Sequence, residues 1–170
     1  MLERFYPDLC ISSAYQINFE EYYKKGYRGV IFDIDNTLVP HGAPADKRSI
    51  ALIGSLKKMG FDVVFLSNNK EPRVKMFNDA VQAQYIYKAG KPGRKGYKKA
   101  MEMMGTHREN TLFVGDQLFT DVWGARNTGI FSILVNPVDK KEEIQIVLKR
   151  YLEKIVLVFY RQKCRRESKK

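Results

Sequence analysis

The stretch Val30-Ile31-Phe32-Asp33-Ile34-Asp35-Asn36-Thr37-Leu38 constrains the fold of this 170-residue chain more than any other. Val30 to Phe32 is an apolar run of β-branched and aromatic residues, as expected of a strand covered on both faces. Asp33, Asp35 and Thr37 follow at once. An unpaired carboxylate is costly to bury, so packing gives no reason for acids there. In an open parallel sheet, ligands bind at the carboxyl ends of the strands. Asp33 and Asp35 are therefore expected to face a site, where a cation would offset their mutual repulsion.

Strand-like and helical stretches alternate from there on. A helix is predicted from about Asp46 to Met59, with Ile50, Ile53 and Leu56 as its apolar face and Gly60 as its stop. Phe61 to Leu66 reads as a strand ending in Ser67-Asn68-Asn69. Pro72 sits early in a helix running to about Val81, and Gln84 to Tyr87 is a weaker strand. Lys91-Pro92 opens a loop into a helix from Arg94 to Met104. Thr111 to Val114 is a strand ending in Gly115-Asp116. A short helix from about Thr120 to Thr128 closes at Gly129, and Ile130 to Val135 is the last core strand. This order predicts an α/β fold: a Rossmann-like three-layer sandwich with a central parallel sheet and right-handed crossovers.

The expected core is 29–137. Residues 1–28 are aromatic-rich and read as a flanking arm, with a short helix and then a helix or turn over Asn18 to Gly26. Residues 138–170 read as a C-terminal helix and basic tail. Glu142 to Lys154 is amphipathic, and Ile155 to Tyr160 is apolar at every position. Two readings stand side by side: a helix docked on the core, or one lying in a membrane interface with Lys and Arg outward.

The formal net charge of +11 implies attraction to an anionic partner: a phosphorylated ligand, a membrane surface or a nucleic acid. Much of it is local to Arg161–Lys170, which a solvated tail explains equally well. Cys10 and Cys164 lie near opposite ends with no CxxC, which predicts free thiols in a reducing compartment. Glu3 and Asp8 argue against a signal peptide, and no apolar run approaches a membrane span. A cytoplasmic location is expected, with peripheral membrane contact as an option.

Four polar groups follow four strand-like runs: Asp33/Asp35/Thr37, Ser67/Asn68, Lys91 and Asp116/Asp121. Each alone has a bland explanation. Ser-Asn-Asn is turn chemistry, and an acid after Gly115 suits a capped helix start. Together, in order and at strand ends, they predict one site on one edge of a sheet.

This set resembles the motifs of haloacid dehalogenase superfamily phosphatases. DxDx(T/V) is matched by Asp33 to Thr37, the strand-end Ser or Thr by Ser67, the Lys by Lys91, and the acidic pair by Asp116 and Asp121. Ile-Asp-Asn-Thr-Leu-Val, Lys-Pro and Gly-Asp-Gln-x-x-Thr-Asp are similar to the branch called YqeG-type, subclass IIIA, which includes mitochondrial phosphatidylglycerophosphatases. The resemblance implies a Mg²⁺-dependent phosphatase working through an aspartyl-phosphate. It assigns Asp33 as nucleophile and Asp35 as acid and base. Mg²⁺ would be held by Asp33, Asp116 and the Asp35 backbone carbonyl. Ser67 and backbone N–H groups near Ile34 and Asn68 would hold phosphate oxygens. Lys91 would neutralise the phosphate charge and hold Asp33. Asp121 would orient Lys91 or a metal-bound water, and Thr37 would bond the motif loop or cap local backbone; Thr37, Ser67, Asn68 and Lys91 form the expected substrate-binding set.

The segments between Asp35 and Ser67 and between Ser67 and Lys91 are too short for a cap domain. An open site, a basic tail and an apolar C-terminal stretch suit a phosphorylated lipid head group, and the resemblance to phosphatidylglycerophosphatases implies phosphatidylglycerophosphate as substrate, in phospholipid metabolism. A phosphatase for soluble esters (nucleotide, sugar phosphate or nucleic-acid end) and a non-catalytic phosphate-binding module are the alternatives. Nucleic acid is disfavoured, because the tyrosines form no stacking platform.

Overall fold

The computed structural model of the chain describes residues 2–139 and 144–167, with side chains of the last helix from residue 151 onward. Its strands are β1 (Leu9–Ile11), β2 (Gly29–Phe32), β3 (Asp62–Leu66), β4 (Gln84–Ile86), β5 (Thr111–Gly115) and β6 (Phe131–Val135). They form one 6-stranded sheet in the order β1-β6-β5-β2-β3-β4, parallel at every pairing. The helices are α1 (Phe19–Lys24), α2 (Lys47–Met59), α3 (Glu71–Val81), α4 (Arg94–Met104), α5 (Trp123–Thr128) and α6 (Ile144–Glu167).

The period-2 geometry of a strand splits the core in two. Val30 and Phe32 of β2 pack with Ile53 and Leu56 of α2 and Val74 and Phe77 of α3. Ile31 points the other way, into a cluster with Tyr97 and Ala100 of α4 and Ala125 of α5. All four β2 residues are buried, as a doubly covered strand requires. Each large apolar side chain so buried contributes about 1.5–3 kcal/mol.

The helices follow their local signals. Asp46 caps α2 through a reciprocal pair with Ser49, and Gly60 closes it in the left-handed region at φ 99°. One detail of the predicted α2 face fails: Ile53 and Leu56 are buried, but Ile50 is exposed. Two successive spacings of three residues drift around a 3.6-residue helix, and Ser49 takes the inward place.

The arm also differs from its reading. Leu2–Phe5 forms a 3₁₀ turn, and Leu9–Ile11 then enters the sheet as edge strand β1, paired with β6 from Leu9↔Ile133 to Ile11↔Val135. A three-residue strand is too short to leave a readable alternation. The predicted helix start at Thr120 also shifts. Leu118–Val122 makes a π-helical turn that runs into α5.

At the C-terminus a continuous α6 replaces the amphipathic and apolar segments. Its predicted start at Glu142 and the last tail residues, 168–170, lie outside the described residues. Glu153 and Val156 are buried against the body, in accord with the docked reading. No helix of the described residues is long and apolar enough to cross a membrane.

The chain runs from β2 outward through β3 and β4, then crosses to β5 on the other side of β2 and on to β6. The topological switch point therefore lies between β2 and β5, where ligand crevices form in open α/β sheets. Only α2 is inserted between β2 and β3, and only α3 and β4 between β3 and α4.

Candidate active site

The site is built where β2 and β5 end. Phe32 is in register with Val114, and the Asp33 N–H donates to Val114 O at 2.9 Å, one residue beyond the strand. The chain then wraps tightly. The N–H groups of Thr37, Leu38 and Val39 all point to Ile34 O, at 3.3, 3.0 and 3.4 Å. Asn36 takes φ 60°, a conformation Asn tolerates better than most residues. This turn fixes Asp33 and Thr37 at the switch point and throws Asp35 to its outer side.

A charged network crosses the strand ends. Lys91 Nζ lies 2.5 Å from Asp33 Oδ1 and 2.8 Å from Asp121 Oδ1, and all three residues are buried. The Thr37 hydroxyl lies 3.3 Å from Asp33 Oδ2 and 3.2 Å from Asp116 Oδ1, bridging β2 and β5. Gln117 N donates to Asp121 Oδ2 at 3.1 Å across the π-helical turn, which folds this carboxylate back into the network. Gly115 permits that fold, since a Cβ there would fall 2.5 Å from Asp121 Oδ2.

Burial pushes the Asp33 carboxyl up to about 7, with Asp121 and Asp35 adding to the effect and Lys91 opposing it. Burial would by itself lower Lys91, but the Asp121 and Asp33 carboxylates prevail and hold it above the ordinary lysine range. Lys91 is thus a fixed cation. Tyr97, raised by burial, donates its hydroxyl to the carbonyls of Thr120 and Asp121 at 2.9 and 3.1 Å and braces the turn from beneath.

The Asp35 carboxylate belongs to a different network. Its Oδ1 accepts from Gly42 N at 2.7 Å and from Arg73 Nε and Nη2 at 3.1 and 2.8 Å. Its Oδ2 accepts from Asn69 Nδ2 at 2.7 Å, and His41 Nδ1 stands 3.7 Å away. The remaining guanidinium nitrogen, Arg73 Nη1, is buried with no hydrogen-bond partner among the described residues.

The other two predicted groups also reach this edge. Ser67 N donates to Ile86 O at 2.9 Å, and its hydroxyl accepts from Asn69 N at 3.1 Å. The Asn68 side chain clamps the Lys91 backbone, accepting from its N–H at 2.8 Å and donating to its carbonyl at 3.1 Å. The side chain of Asn68, expected among the substrate contacts, therefore positions the lysine. Arg73, Asn69, Tyr97 and the Gly42 N–H were not anticipated. Arg73 lies in the first turn of the helix after Ser67-Asn68-Asn69, a signal that spacing from the motif offers.

Asp33, Asp116 and Asp121 each offer a carboxylate oxygen, all within 4.8 Å of one another and all buried. Three carboxylates against one ammonium leave an excess of negative charge. An all-oxygen donor set of this kind fits a hard divalent cation. The Asp35 carboxylate stands outside this trio, so any share it has in a metal site falls to its backbone carbonyl.

Comparison with known proteins agrees with this geometry. A HAD-hydrolase-like family model matches residues 88–145. The chain is 35% identical over 165 residues to the probable phosphatase YqeG of Bacillus subtilis, covering 96% of each. It is 26% identical over 175 residues to phosphatidylglycerophosphate phosphatase 1, chloroplastic/mitochondrial, of Arabidopsis thaliana, covering 87% of this chain and 48% of that protein. The crystal structure of the putative HAD-hydrolase YfnB of Bacillus subtilis, bound to magnesium, superposes with a TM-score of 0.53 at 16% identity. That match covers 70% of this chain and 91% of that one.

Proposed function

The chain belongs to the haloacid dehalogenase-like hydrolases and is a phosphatase of that family. From that premise we propose a Mg²⁺-dependent phosphomonoester hydrolase that works through an aspartyl-phosphate and dephosphorylates phosphatidylglycerophosphate in phospholipid synthesis. The observation that carries the catalytic reading is the buried trio Asp33, Asp116 and Asp121, within 4.8 Å of one another, with the Lys91 ammonium on two of them.

Asp33 attacks the phosphorus in line, forming an acyl-phosphate bond as the bond to the leaving oxygen breaks. Attack needs the ionised carboxylate, which Lys91 favours against the opposing effect of burial. Asp35 gives its proton to the leaving oxygen, then takes one from the water that hydrolyses the intermediate. Its carboxylate is held by Arg73, Asn69 and the Gly42 N–H, which aim it. Ser67 and the N–H groups near Ile34 and Asn68 bind the phosphate oxygens, and Lys91 offsets their charge. Asp33, Asp116 and the Asp35 carbonyl would hold Mg²⁺, whose contribution when bound is to neutralise charge on the transferring phosphoryl group. Asp121 orients Lys91.

Two features support the lipid substrate. The likeness to phosphatidylglycerophosphate phosphatase 1 runs over 87% of this chain. Among the described residues the strand ends also carry no inserted domain, so a head group embedded in a surface can approach. This reading places the enzyme in the cytoplasm, working at a membrane face.

Asp33→Asn, assayed with a chromogenic phosphate ester and Mg²⁺, should lose at least about 10³-fold in turnover. Activity that survives the change removes the nucleophile assignment. Phosphatidylglycerophosphate in mixed micelles should be turned over faster than soluble phosphomonoesters. Equal or faster turnover of the soluble esters removes the lipid assignment and leaves a phosphatase of soluble substrates.

A further inference from the structure

We propose that the outward face of α6 is a membrane-docking surface that binds an anionic lipid bilayer.

The helix has two faces with different occupants. Glu153, Val156, Leu157 and Tyr160 face the body. Glu153 accepts from Leu118 N at 2.8 Å, Val156 packs with Phe5, Leu118, Val122 and Leu134, and Tyr160 stacks edge-on with Tyr6 at 5.3 Å. On the other side Tyr151, Leu152, Ile155, Val158 and Phe159 are exposed, at 61, 54, 55, 50 and 48%. Their spacing makes one stripe along the helix. A helix docked on a water-soluble body ordinarily turns polar residues outward, and one that is apolar all round is covered on every side. The other large apolar side chains exposed among the described residues, Ile50, Met76, Tyr87 and Val138, are scattered through the chain and need no partner.

Charge selects the occupant. Lys154, Arg161, Arg165 and Arg166 are exposed beside or just beyond the stripe. Between Tyr151 and Arg166 the only acid is Glu153, which is turned inward. An apolar stripe with cations around it and, between Tyr151 and Arg166, no exposed anion matches an anionic leaflet, which draws in Lys and Arg while apolar side chains enter the acyl boundary. Two copies meeting face to face through this stripe would set cations against cations. The excess of 30 Lys and Arg over 19 Asp and Glu favours the same partner. Through Glu153 and Leu118, the helix is fastened two residues beyond Asp116, so the docking face and the phosphatase site belong to one unit. The proposal goes beyond the substrate reading, because it requires no particular phosphoester.

The test is co-sedimentation of the full chain with phosphatidylcholine vesicles, with and without phosphatidylglycerol, beside hydrolysis of a soluble phosphomonoester. The wild type should sediment with the phosphatidylglycerol vesicles and be released as salt rises toward 1 M, where screening is nearly complete. The double variant Ile155→Glu/Phe159→Glu should lower vesicle partitioning at least about tenfold with soluble-ester hydrolysis unchanged. Arg165→Gln/Arg166→Gln should remove much of the salt-sensitive part.

A wild type that hydrolyses the soluble ester but stays in solution beside anionic vesicles overturns the docking face and leaves the phosphatase standing. Equal binding by wild type and the Ile155/Phe159 variant also overturns it. So does a dimer that the same variant dissociates in the absence of vesicle binding, which would make the face a contact between copies. Vesicle binding by a protein that does not hydrolyse phosphatidylglycerophosphate upholds the face and removes only the substrate reading.

Discussion

Asp35 shows how neighbours separate two carboxylates two residues apart in sequence. Asp33 is held by one ammonium in a buried network, whereas Asp35 accepts three N–H bonds on one oxygen and one on the other. Arg73 supplies two of those bonds, and among the described residues its guanidinium has no other hydrogen-bond partner, so on the proposed mechanism it aims Asp35. Arg73→Ala should lower kcat by about 10- to 100-fold, as expected when a proton-transfer group loses its orientation. KM should change little, and Arg73→Lys should recover part of the loss. Steady-state kinetics read the split; a change confined to KM would make Arg73 a substrate contact instead. The Asn68 clamp on the Lys91 backbone positions the lysine in a similar way, from a residue that never meets the carboxylates.

At the level of elements, the site depends on the strands and the turn that carry it and on the helices that brace that turn. β2 and β5 set the spacing of Asp33 and Asp116, and the π-helical turn after β5 returns Asp121 to Lys91. That turn is held from below by Tyr97 of α4 and from outside by Glu153 of α6. Glu153→Ala withdraws the acceptor from the buried Leu118 N–H, a loss of about 1–3 kcal/mol. The thermal midpoint should fall and protease should release the C-terminal segment sooner. If neither moves, the helix is held by its apolar contacts alone.

For the whole molecule, the buried charge cluster ties stability to pH. Asp33 titrates at about 7 in the folded chain and near 3.9 when unfolded. A raised folded value adds stability below the unfolded value, and that stability is lost as pH rises through the folded one. The metal-free protein should therefore lose stability as pH rises from about 4 to about 8. A divalent cation requires the ionised form, so added Mg²⁺ should protect more at about pH 8 than at about pH 5. Thermal melts in EDTA and in Mg²⁺ at both values check this, and Asp33→Asn should flatten the metal-free dependence. A metal-free wild type equally stable at both would show that Asp33 is ionised throughout.

Strand and helix order, the parallel sheet and the strand-end placing of Asp33, Ser67, Lys91 and Asp116 were legible in the sequence. Each rests on local physics: apolar runs bounded by Gly, Pro and capping residues, and the directional rule that parallel strands end on one edge. Partner choice was not legible. That Asn68 clamps Lys91, that Arg73 and Asn69 hold Asp35 and that Leu9–Ile11 joins β6 depend on contacts between distant segments. The sequence also left α6 between a docked and an interfacial role. Only the tertiary structure decided that one face meets the body while the apolar stripe opposite is exposed, because packing is fixed by the surface a helix meets as well as by its own periodicity.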